Sequence, residues 1–152
     1  MKLIYIIIIA TFLAACAPLP TTEQGTAQTG GTGPDIDQQT GLNPAVLNLL
    51  TQAQHQLNAG QADAAAATTE RALRIAPNSV TVYQALARVR LVQNDTWQAE
   101  ALALKANSLA VGHPKQQAEN WSIIAKARRQ RGDMMGADAA ARAAAVLRMD
   151  VN

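Results

Sequence analysis

The sequence predicts an all-α fold: three antiparallel helical hairpins stacked as an α-solenoid, preceded by an apolar leader and a polar linker. Three observations predict it. The 152-residue chain is rich in alanine and its aromatic content is only 3%, which favours packed helices over strands. Turn residues punctuate it at even intervals from Asn43 onward. Small residues recur in a fixed register between those turns.

The elements follow in order. Lys2 precedes an apolar run from Leu3 to Leu13, and small residues lead to Cys16, the only cysteine. The run is too short to span a membrane, which takes about 20 apolar residues, and it has the layout of a secretory signal. Residues 1–15 are therefore read as a signal peptide. Cys16 has no second cysteine for a disulfide and no Cys/His cluster for a metal. Residues 16–43 follow with Gly, Thr, Gln and Pro dominant and few bulky apolar side chains. Such a segment buries too little surface to offset its ordering entropy and is read as a disordered linker. It would span roughly 30 Å on average and ~90 Å pulled straight.

Asn43-Pro44 reads as an N-cap with proline at the first helical position. Gly60, Pro77, Asn94-Asp95, Gly112-His113-Pro114 and Gly132-Asp133 then divide the chain into helices near 44–59, 62–75, 79–93, 96–110, 114–131 and 134–148. The hairpins repeat as 46–79, 80–113 and 118–151, with a four-residue insertion around Pro114. In that register, alanine occupies the eighth, twentieth and twenty-seventh positions of every repeat: Ala53, Ala65, Ala72; Ala87, Ala99, Ala106; Ala125, Ala137, Ala144. Residues 44–152 carry 12 Lys/Arg against 8 Asp/Glu, too mild an excess to suggest nucleic acid.

Two resemblances rest on these residues. The leader with Leu13-Ala14-Ala15-Cys16 resembles a bacterial lipoprotein signal and lipobox. It implies cleavage before Cys16 and a covalent lipid on its thiol, with no other cofactor; two or more acyl chains give stable anchoring. Ala17, in place of aspartate, implies the outer membrane, facing the periplasm. The 34-residue register resembles the tetratricopeptide repeat (TPR). The chain departs from that family's pattern at Gln52, at the tyrosine position (Gln56, Arg90, Arg128) and at the closing proline, which appears only as Pro77.

The TPR resemblance implies a protein-binding groove lined by the first helix of each hairpin. Carried over, it gives Leu50, Gln54 and Asn58; Gln84, Arg88 and Leu91; and Lys126 and Arg129, with Leu47, Leu57, Thr81, Val92, Glu119, Ser122 and Gln130 beside them. Arg88, Lys126 and Arg129 would meet a partner's carboxylates. The Lys/Asn clamp of chaperone-binding members is not reproduced. Lys126, Arg128, Arg129 and Arg131 read either as a binding patch or as a solvated helix end, where positive charge is favourable. Trp97 and Trp121 are read as core residues. The alanine-rich last helix presents either small residues left exposed or the seam of a homodimer.

No nucleophile motif, paired-carboxylate signature, metal-ligand spacing or phosphate loop is present; His55 and His113 stand alone, and the chain is read as no enzyme. Anchor, linker and small repeat domain together resemble the LpoP-type lipoprotein activators of class A penicillin-binding proteins. That resemblance implies a bifunctional peptidoglycan synthase as the protein partner. The alternative is a TPR lipoprotein adaptor or pilotin for pilus, secretion or wall-hydrolase assembly.

Overall fold

The computed structural model describes residues 42–149 as six α-helices. The signal peptide, Cys16 and the linker as far as residue 41 lie outside the described residues. The helices are α1 (Pro44–Asn58), α2 (Ala62–Ile75), α3 (Val80–Val92), α4 (Thr96–Leu109), α5 (Pro114–Gln130) and α6 (Met134–Met149). Each lies within two residues of its sequence-predicted span, the usual uncertainty of a helix end.

Local chemistry sets those ends. Asn43 Oδ1 accepts from the Ala45 amide at 2.9 Å, and Pro44 opens α1. Ser79 Oγ accepts from Val82 N at 3.3 Å and Asp95 Oδ1 from Gln98 N at 3.1 Å, starting α3 and α4. Asp133 Oδ1 accepts from Gly136 N at 2.9 Å at the start of α6. Each cap satisfies an amide that has no partner inside its helix. The residues read as the linker's end belong to the domain: Leu42 packs on the cluster of Val46, Leu49, Ala72 and Val82, and Asn43 caps α1.

The three hairpin turns share one device. The amides of Gln61, Asp95 and Asp133 donate to the carbonyls of Gln56, Arg90 and Arg128, five residues back, at 2.8 to 3.0 Å. This is the long bond of a Schellman motif, and it needs a left-handed residue just before the donor. Gly60, Asn94 and Gly132 supply it, with φ of 74°, 61° and 86°.

The nine repeat alanines are all buried, none more than 4% exposed. They sit where helices approach closest, and a larger side chain there would push the pair apart. Packing order also gives the stack its curvature. Each helix packs on the next, and α3 additionally packs on both α1 and α5, whereas α2, α4 and α6 do not touch one another. The first helices of the hairpins therefore form the tight inner row and the second helices the splayed outer row. The inner row is the concave side.

The core is mostly aliphatic and alanine, and a buried polar chain crosses it. Gln84 Nε2 on α3 donates to Asn120 Oδ1 on α5 at 2.8 Å and to the Gln116 carbonyl at 3.3 Å. Asn120 Nδ2 in turn donates to Asn107 Oδ1 on α4 at 3.2 Å. The chain ties three helices of two repeats in one register.

Candidate partner-binding site

The inner row presents part of the groove expected from the sequence. Gln54 and Asn58 on α1 are exposed and bonded to each other, Gln54 Nε2 donating at 2.9 Å. Arg88 on α3 is half exposed and pairs with Glu119 on α5 at 3.4 Å. Arg129 pairs with Asp138 at 3.5 Å, and Lys126 is exposed with no partner among the described residues. Exposed ion pairs of this kind contribute little to stability, so these groups can exchange their partners for a ligand's at small cost.

Three of the eight groove residues lie elsewhere than on an open surface. Gln84 is only 4% exposed, because its amide is used in the bond to Asn120. Leu91 is buried in the cluster of Ala87, Ala103 and Ile124. Leu50 is half-buried against the cluster that contains Val46 and Val82. In each case the helix is rotated so that its apolar stripe meets two neighbours rather than one. The open apolar positions on the inner helices are Leu47 and Val92.

The basic run on α5 divides. Arg128 donates through Nε and Nη2 to Glu100 Oε1 on α4 at 2.9 and 2.6 Å, and through Nη1 to the Gly136 carbonyl at 3.2 Å. Arg131 Nη1 lies 2.5 Å from Glu100 Oε2, an ion pair whose angles are not those of a hydrogen bond. Asp133 is 3.8 Å from the same guanidinium. Burial pushes the Glu100 carboxyl up, but the hydrogen bonds from Arg128 and the adjacent positive charges of Arg128 and Arg131 outweigh it, so its pKa falls below the ordinary value. Arg128 and Arg131 are thus structural cations that join α5 to α4, and only Lys126 and Arg129 face outward. Sequence reasoning passed over Glu100; its one signal was an acid inside an alanine-rich helix.

The tryptophans also divide. Trp121 packs against the main core cluster, as the sequence predicts. Trp97 does not: its side chain is exposed, with the Arg131 guanidinium 4.0 Å from the ring centroid. The Arg131–Glu100 pair fixes that largely buried guanidinium, and the ring lies over it instead of entering the core. On α6, Asp138 pairs with Arg129, and Arg148 Nη2 donates to Ser122 Oγ at 2.6 Å. Their counterparts one repeat earlier, Glu100 and Ala110, are buried. The side of α6 that bears Asp138 and Arg148 is thus polar where the matching side of α4 is buried.

Among the described residues there is no group of acids, histidines and cysteines able to hold a metal, and no helix long and apolar enough to cross a membrane. The fold and its surface define the class: a TPR-type helical repeat module with a partly charged concave face. No protein-family model matches the chain, and no curated protein sequence does. Among solved structures, the globular C-terminal domain of Pseudomonas aeruginosa LpoP is 46% identical, with a TM-score of 0.66. The match covers 68% of this chain and 98% of that domain. The chain belongs to the LpoP family.

Proposed function

We propose that the chain regulates peptidoglycan synthesis by docking on a class A penicillin-binding protein. The observation that carries this is the 46% identity over 98% of the LpoP globular domain. The exposed charges of Arg88, Lys126 and Arg129 lie along a repeat surface, which suits a protein partner. Cys16, through its lipid, anchors the protein in the outer membrane facing the periplasm, and the linker lets the domain reach a synthase in the inner membrane. Docking favours the active synthase because the domain binds that conformation more tightly.

The test is reconstitution. Purified residues 17–152 are added to the purified class A penicillin-binding protein of the same organism, and glycan-chain polymerisation is followed. Acceleration that saturates with the domain supports the reading. No binding and no acceleration rejects it. In cells, Cys16→Ser is expected to release the protein from the outer-membrane fraction; a variant that stays there removes the anchor from the account.

A further inference from the structure

The outer row carries an apolar surface that the groove reading does not use. Trp97 and Leu104 are seven residues apart on α4 and so fall on one stripe, and Val111 follows in the turn just past the end of that helix. On α6, Met135 and Met149 occupy the positions that match Trp97 and Val111, Arg142 occupies that of Leu104, and Val146 lies one turn beyond Arg142 on the same stripe. The six apolar residues are between 44 and 87% exposed, and they make up six of the ten large hydrophobic residues exposed among the described residues. The corresponding positions of the first hairpin are Asp63, Glu70, Arg74 and Pro77. The position of Trp97 and Met135 holds Asp63 in the first hairpin, so it is polar in repeat one and apolar in repeats two and three. Backbone packing does not demand apolar residues there.

Charge narrows what covers this face. Every acid among the described residues is engaged: Asp63 with Gln93, Glu70 with Arg90, Glu119 with Arg88, Asp138 with Arg129, Glu100 and Asp133 with arginines, and Asp95 as a cap. Lys105, beside Leu104, and Arg142, in the middle of the α6 stripe, are exposed with no partner among the described residues. Among the described residues a second copy brings the same unpaired cations and no carboxylate without a partner, so a segment richer in carboxylates fits better. An anionic membrane does not fit. Each basic residue near such a surface raises adsorption only about fivefold, and two are too few. Tryptophan, methionine and arginine together are the composition of protein interface cores.

We propose that the convex face of α4 and α6 docks a protein segment whose apolar side chains cover Trp97, Leu104, Met135 and Val146 and whose carboxylates meet Lys105 and Arg142. From the proposed function it takes only that the partner is a protein. The experiment uses the full chain in the cells that make it, with a photo-crosslinking amino acid placed singly at Leu104, Met135 or Val146, and at Gln54 or Asn58 on the concave side. Adducts to one protein from the convex positions, through a peptide rich in Asp or Glu, are expected. Lys105→Glu with Arg142→Glu should cut their yield by about tenfold. If that protein is a class A penicillin-binding protein, both readings stand; if it is another protein, this inference stands and the proposed function falls. Adducts from the concave positions alone, adducts to lipid alone, or none at the convex positions overturn the inference. A folded domain in every variant is checked by helicity and melting temperature.

Discussion

Gln84 and Asn120 meet inside the solenoid, Gln84 Nε2 donating to Asn120 Oδ1 at 2.8 Å with Asn120 fully buried. The pair joins the inner helices of the second and third hairpins, and Asn107 extends it to α4. A polar chain in a core this small is stabilising only while each member is satisfied. Asn120→Ala is therefore expected to cost about 2 kcal/mol, because Gln84 and Asn107 both lose a partner in a dry site. For a domain near this size the melting temperature falls by roughly 10 °C. An unchanged melting temperature would mean that water replaces the lost amide.

Glu100 holds α4 to α5 through two guanidinium groups, and its folded pKa is depressed. The stability it contributes is present above the ordinary glutamate value, about 4.3, and is lost as pH falls through the lower folded value. Glu100→Gln leaves two cations together without a carboxylate and should cost about 3 kcal/mol at pH 7. The same variant should show a flatter fall in urea midpoint below pH 4.3 than the wild type. Equal acid slopes would assign the acid sensitivity to other carboxylates.

Trp97 and Trp121 should behave oppositely on truncation. Trp97→Ala removes an exposed ring and a cation–π contact with Arg131, costing less than about 1 kcal/mol. Trp121→Ala opens a cavity beside the main core cluster and should cost about 3 kcal/mol. Chemical denaturation of the two variants separates them; similar losses would place Trp97 in the core after all.

Alanine at the repeat positions is a steric requirement, not a compositional accident. Ala106→Leu, at a fully buried contact of α4, should cost about 1–3 kcal/mol by overpacking. Ala101→Leu, exposed on the same helix, should change stability by less than about 0.5 kcal/mol. If both are tolerated equally, the hairpins are not held at the distance the alanines allow.

The sequence by itself determined what depends on short stretches of chain and on spacing. Helix ends were legible because Asn43 caps locally and because Gly60, Asn94 and Gly132 tolerate positive φ, whereas Ser79, read as the first residue of its helix, proves to be the cap. The repeat was legible because a close helix contact admits only a small side chain, and that need recurs at the same three positions of every hairpin. The rotation of each helix about its own axis was decided only by tertiary packing. It turned Gln84 and Leu91 inward, left Trp97 on the surface, and committed Arg128 and Arg131 to Glu100. A residue on an inner helix faces both the concave surface and the neighbouring hairpin within one turn. Which of the two it meets depends on side chains 20 to 40 residues away, such as Asn120 for Gln84 and Glu100 for Arg128. No local pattern encodes that choice, because it is made by the neighbour's surface.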